Sequence, residues 1–283
     1  MAFTEWLRAV LTGVLAGITK WLPLSDTAHL YLWNRIWGES TVFTAGYTML
    51  LSAVAELGAM LALTVVFFHK LNPISQFKTE DQKRNTRALL KKIGITGLPF
   101  LVLYAVLRLA FGGKTDFIFE SPYGVAALLI LGGAFLFFTE NRIFKKDPDT
   151  VKISEIPGSV LWKVGAIALL GLFPGGDTTG LCLAAFLVFG CSRYVSAEMA
   201  FYVAIPVTFV RFAVTVARYL IFIREPLNGS MIFGLIATLS AAMFSSFFVI
   251  RPFLHYLKRH DVKPFAIYRI VIGLLCLIVF VVS

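Results

Sequence analysis

The chain has 283 residues, 58% of them hydrophobic and only 15% charged, with a mean hydropathy of +0.80, whereas soluble domains run at roughly 45 to 50% apolar and about 25% charged. An ordinary soluble fold is excluded. The net charge of +10 does not call for a nucleic-acid partner, because the basic residues gather in short loops between apolar segments, as in a protein that meets a membrane surface.

In chain order, the first apolar region, residues 5–37, is interrupted by Leu22-Pro23-Leu24-Ser25-Asp26-Thr27. Glu5, Arg8, Lys20 and Asp26 deny it the charged start, apolar core and cleavage site of a secretory signal, so it is expected to be retained. Segments 41–68, 93–111 and 122–140 follow, each able to supply the roughly 20 apolar residues that cross a bilayer. Region 160–190 is again interrupted, by Phe173-Pro174-Gly175-Gly176-Asp177-Thr178, and segments 197–222, 229–250 and 265–282 complete the chain. In the two interrupted regions each half is too short to cross, and Pro and Gly free backbone groups that lipid cannot satisfy. Re-entrant helical pairs are predicted there. Cys182, Cys191 and Cys276 lie in apolar stretches without C-x-x-C or metal-ligand spacing and are expected to be packing residues.

Loop 69–92 carries seven Lys and Arg residues, loop 141–163 five and loop 251–264 four, against one each in 112–121 (Lys114) and 223–229 (Arg224). Positive residues in short loops stay cytoplasmic, so six crossings alternate correctly if both termini are external. Each half, 1–140 and 157–283, joined by a linker at 141–156, then reads as one re-entrant pair plus three crossings. An odd number of crossings inverts the second half. The predicted fold is an all-α polytopic membrane protein, six transmembrane helices plus two re-entrant pairs in an inverted-topology repeat forming one membrane domain, with its binding site where the broken helices meet. The two breaks also share the string P-x-x-D-T, at Pro23 to Thr27 and Pro174 to Thr178.

At these loops the sequence resembles the bacterial undecaprenyl-diphosphate phosphatase (bacitracin-resistance, UppP/BacA) family. Gly17-Ile18-Thr19-Lys20-Trp21-Leu22-Pro23-Leu24-Ser25-Asp26-Thr27-Ala28-His29 is similar to that family's E-G-x-T-E-F-L-P-V-S-S-T-G-H, and Pro174 to Gly180 stands where the family has P-G-x-S-R-S-G. Ser192-Arg193-Tyr194, Pro264-Phe265-Ala266-Ile267-Tyr268-Arg269, Glu56-Leu57-Gly58 and Gly132-Gly133 with Glu140 follow family strings too. The resemblance implies removal of the terminal phosphate of undecaprenyl diphosphate at the outer face of the bacterial cytoplasmic membrane, in recycling of the lipid carrier of cell-wall synthesis. It implies an acidic pair that holds a divalent cation (Mg or Ca) or does acid/base work, an Arg that clamps phosphate, and a Ser or His that acts on phosphorus.

Here the acidic positions are Ala16 and Lys20, the Arg position is Thr178, its flanking serines are Asp177 and Thr179, and the second serine of the first loop is Asp26. Ser25 and His29 are what remains of the catalytic set. Phosphoryl transfer is mostly positioning and charge neutralisation, so a site that loses its Arg and gains carboxylates is expected to hydrolyse weakly or not at all, unless Asp26 and Asp177 bind a divalent cation through oxygen.

Intramembrane ionisable groups are costly and usually functional. Lys20, Asp26, Thr27, Asp177, Thr178, Thr179, Glu56 and Arg211 are therefore the candidate substrate-binding or coupling residues, with Asp26 and Asp177 facing each other and Lys20 and His29 at the edge. The bland alternative is a buried ion pair that merely holds the loops together. Each Asp also suits the N-cap of the half-helix after it, and Arg193 and Glu198 suit interfacial anchors. The expected ligand is a polyprenyl phosphate or diphosphate. Rival readings are a proton-coupled transporter of undecaprenyl phosphate, whose hardware would be paired midplane carboxylates, and a non-catalytic partner subunit. Nothing in the sequence fixes an oligomeric state.

Overall fold

A computed structural model describes residues 2–110, 121–143, 148–172 and 176–282; Lys114, Phe173, Pro174 and Gly175 lie outside them. Every regular element in the described residues is helical, apart from an isolated backbone bridge between Thr150 and Cys191. The helices are α1 (Phe3–Thr19), α2 (Asp26–Trp37), α3 (Ala45–Val66), the short α4 (Phe68–Leu71), α5 (Glu80–Ala110), α6 (Pro122–Ile143), α7 (Gly158–Ala168), α8 (Thr178–Val188), α9 (Arg193–Arg218), α10 (Gly229–Tyr256) and α11 (Lys263–Val282).

Among the described residues five helices are long and apolar enough to cross a bilayer: α3, α5, α6, α9 with its extension to Ile223, and α10. The sixth expected crossing falls on the 20-residue α11. Both interrupted regions break as predicted. At about 1.5 Å per residue the 17 residues of α1 rise roughly 26 Å, and α2, α7 and α8, with 12, 11 and 11, rise under about 20 Å.

One boundary needs correction. The crossing expected at 93–111 is the end of a longer helix that starts at Glu80, so Lys83, Arg84, Arg87, Lys91 and Lys92 are helical rather than looped. The start signal is local: Thr79 Oγ1 accepts from the Gln82 amide at 3.3 Å and Gln82 Oε1 accepts from the Thr79 amide at 3.1 Å, a reciprocal cap. Glu80 and Asp81 in the first turn favour the same start. Thr44, Ser192 and Asn228 cap α3, α9 and α10 with their side chains.

Helices close on one another through small residues, as packing within lipid requires. Gly13 and Gly17 lay α1 directly on the backbone carbonyls of Thr238 and Ala242 in α10, leaving no room for a Cβ. Two cross-helix bonds pin this contact, Thr238 Oγ1 to the Ala9 carbonyl at 2.8 Å and Ser246 Oγ to the Gly17 carbonyl at 3.1 Å. Gly165 sets α7 against the Thr96 carbonyl of α5 in the same manner. The largest apolar cluster among the described residues gathers Trp21, Phe100, Phe186 and Phe201 around α8 and α9, so Trp21 at the first break and most of α8 are buried in protein.

Candidate functional site

The two breaks meet. Thr27 Oγ1 donates to the Gly176 carbonyl at 3.1 Å, across 149 residues of sequence. Around this contact lie six ionisable side chains, five of them buried and that of Arg211 partly buried, from the C-cap of α1, from α2, α3, α9 and α11, and from the residue preceding α8.

Lys20 ends α1, where the chain leaves helical geometry. Its Nζ lies 2.7 Å from Asp26 Oδ2 and 3.2 Å from Glu56 Oε2, and its side chain is 5% exposed. The other oxygen of Glu56 receives Arg211 at 3.2 Å. The first loop thus belongs to a closed chain, Asp26–Lys20–Glu56–Arg211, in which two cations alternate with two carboxylates. At the second loop Asp177 Oδ2 faces Arg269 Nη1 at 3.4 Å. Arg269 also reaches the Pro23 and Leu128 carbonyls, both at 3.5 Å, and its Nε has no partner among the described residues. Fully buried guanidinium groups ordinarily satisfy more of their five donors than this, and at shorter range.

Asp26 and Asp177 are therefore brought into one region but engaged by different cations. The capping expectation changes too. Ser25, at φ 71°, is the N-cap of α2 and accepts from the Ala28 amide at 3.4 Å, which makes Asp26 the first helical residue. The left-handed backbone at a non-glycine residue is a strained conformation of the kind found at functional sites. Asp177 holds the cap position of α8, and its carboxylate lies between the Gly180 backbone and Arg269.

Ser25 is fully buried. The His29 ring meets the backbone of this residue: Nδ1 lies 2.8 Å from the Ser25 carbonyl and Nε2 lies 2.9 Å from the Tyr268 hydroxyl. A carbonyl only accepts, so Nδ1 carries a proton, and Nε2 meets the Tyr268 hydroxyl. The two rings also stack, with centroids 5.7 Å apart. Thr178 and Thr179 are buried behind Asp177, and Thr178 Oγ1 has no hydrogen-bond partner among the described residues. Arg193 and Glu198 are both held in ion pairs. Arg193 pairs with buried Glu140, and Glu198 receives Lys70 at 2.6 Å and the Tyr202 hydroxyl at 2.7 Å.

Two cavities flank the network. One of about 420 Å³ is walled by Leu128, Leu131, Phe135, Ile167, Leu170 and Leu181, with Asp177 and Arg269 as its charged lining; Leu131 and Leu170 are more than half exposed, which opens it sideways. The other, about 490 Å³, lies between α1, α2 and α3 and includes Arg8, Asn34, Arg35, Glu39 and Ser52, the last a helical turn from Glu56. Gly132 lets Arg269 into place, since a Cβ there would strike the guanidinium.

A divalent cation does not fit this donor set. Among the described residues no three His, Cys, Asp or Glu side chains converge, and the oxygens of Asp26 and Glu56 that face one another already share the Lys20 ammonium.

Sequence reasoning missed Arg269 and Tyr268 as site residues. The signal was there: Arg269 is the lone charged residue in 265–282, and an ionisable group inside an apolar span is a functional candidate by default.

Sequence similarity to known proteins runs along almost the full length. The family model described as "Bacitracin resistance protein BacA" matches residues 9–275. Proteins named undecaprenyl-diphosphatase are similar throughout. One from Lachnoclostridium phytofermentans is 32% identical over 273 residues, 96% of each chain. One from Streptococcus mutans is 32% identical over 277 residues, 98% of this chain and 96% of the relative. One from Enterococcus faecalis is 30% identical over 280 residues, 98% of each. With its paired broken helices and near full-length similarity, this chain belongs to the bacitracin resistance protein BacA family of multi-pass membrane proteins.

Proposed function

We propose that the protein binds a polyprenyl phosphate or diphosphate in lipid-carrier recycling and hydrolyses it slowly or not at all. The observation that carries this reading is the charge balance of the buried network. Lys20, Arg211 and Arg269 are each committed to a carboxylate, Asp26, Glu56 or Asp177, so no cation is in surplus to neutralise a phosphoryl group in its transition state. Removing one preorganised contact of that kind costs roughly 3 to 4 kcal/mol, about a hundredfold to a thousandfold in rate. The leucine-lined groove at Arg269 suits an isoprenoid chain, and the loosely held guanidinium beside it is the group a phosphate would attract. Purified protein incubated with undecaprenyl diphosphate, with and without Mg²⁺, is expected to release phosphate at background rate while still binding the lipid. Robust release abolished by Asp26→Asn would show a rebuilt hydrolase and overturn this reading.

The proposed membrane arrangement is six crossings and two re-entrant pairs in inverted repeats, both termini external, in a bacterial cytoplasmic membrane. Reciprocal packing supports it: α1 lies on α10 as α7 lies on α5, and α3 pairs with α10 as α9 pairs with α5. An impermeant thiol reagent on intact cells should label Arg224→Cys and spare Arg84→Cys and Arg259→Cys.

A second reading, movement of undecaprenyl phosphate across the membrane, draws on the alternation of cations and carboxylates, because such pairs can exchange partners between two states. Dependence of lipid movement on a proton gradient in vesicles favours it.

A further inference from the structure

We infer that Lys20 is a tethered cation that replaces a metal: its ammonium holds Asp26 and Glu56 together, makes the site independent of divalent cations, and masks a cation site that its removal would open. The inference concerns what neutralises the carboxylates, and it holds whether or not the lipid is cleaved.

The geometry comes first. One Nζ lies within 3.2 Å of an oxygen from each of two buried carboxylates, on α2 and α3, 30 residues apart. Bringing such groups together in a low-dielectric interior needs a positive centre between them. A hard divalent ion with oxygen ligands is one solution and an ammonium is another. The ammonium here is fixed by the chain itself, since Lys20 is the C-cap of α1, directly after Thr19, and lies six residues before Asp26.

Charge counting then separates the alternatives. Lys20 and Arg211 against Asp26 and Glu56 sum to zero, so adding a divalent ion beside the ammonium would leave two uncompensated positive charges within a few ångströms, in a place that water does not screen. Replacing Lys20 with Glu changes the sum to minus two, which one divalent ion brings back to zero with three carboxylates to ligate it. Replacing it with Gln gives minus one and a weaker attraction for the same ion. The ordering of cation response is therefore Glu, then Gln, then the natural Lys.

The test is thermal unfolding of the full chain in detergent with EDTA, with MgCl₂ and with CaCl₂. The natural protein is expected to unfold at one temperature in all three. Lys20→Glu is expected to be less stable in EDTA and to gain on the order of 5 to 10 °C at saturating Mg²⁺ or Ca²⁺. Adding Asp26→Asn to it should remove that gain, which locates the ion. If Lys20→Glu does not accumulate, Lys20→Gln is read in its place, with a smaller gain. A natural protein stabilised by divalent cation as much as the variants, or a failure of both folded variants to respond, overturns the inference.

Discussion

The two P-x-x-D-T breaks place the same carboxylate at the start of a half-helix and then treat it differently. Asp26 is locked: Lys20 holds it at 2.7 Å and the chain of charges continues through Glu56 to Arg211. Asp177 is loosely held, facing Arg269 at 3.4 Å while the other donors of that guanidinium are stretched or unmet. The first loop is self-sufficient, whereas the second borders an apolar groove and keeps a cation that an incoming anion can compete for. Similar strings therefore do not imply similar roles. The two carboxylates differ in their partners because the neighbouring helices differ.

The largest expected effect tests the locked side. Lys20→Met leaves two buried carboxylates short of a cation, and breaking a buried pair in this way costs about 3 to 5 kcal/mol of stability. Denaturant unfolding in micelles measures it. Arg269→Met, which removes longer contacts, is expected to cost less than Lys20→Met, while reducing binding of undecaprenyl phosphate more strongly. Equal stability losses, or unimpaired lipid binding in Arg269→Met, would erase the distinction between the loops.

Coupling sharpens it further. The cycle of Lys20→Met with Asp26→Asn should show an interaction of about 0.5 to 3 kcal/mol, as for members of one network. Asp26→Asn with Asp177→Asn is also expected to be non-additive, because Arg269 touches both loops and Thr27 bonds to Gly176. Strict additivity there would mean two independent sites.

The smallest effect is at the edge. Tyr268→Phe removes one neutral hydrogen bond to His29 and keeps the stacked ring, so stability should fall by about 0.5 to 1.5 kcal/mol. Background-level phosphate release that the substitution leaves unchanged would fit a His29 that orients α2 against α11; loss of a measurable turnover would instead put His29 in the chemistry.

Much of this was legible in the sequence, for a physical reason. Bilayer thickness sets the length of an apolar crossing, and lipid leaves broken backbone unsatisfied, so hydropathy and the two Pro-containing interruptions were enough to locate the helices and the two breaks. The candidate residues Lys20, Asp26, Glu56, Asp177 and Arg211 followed from the cost of charge in apolar surroundings. Composition said nothing of the helix starting at Glu80, because charged helix formers carry a helix beyond the membrane as readily as they fill a loop, and the decision rested on the cap at Thr79. Tertiary structure alone decided the pairing. Which cation meets which carboxylate depends on contacts that span 36 residues for Lys20 with Glu56, 155 for Arg211 with Glu56 and 92 for Arg269 with Asp177. No local pattern encodes such distances; they arise when α1, α3, α9 and α11 pack, and only then does a set of isolated charges become a neutral network.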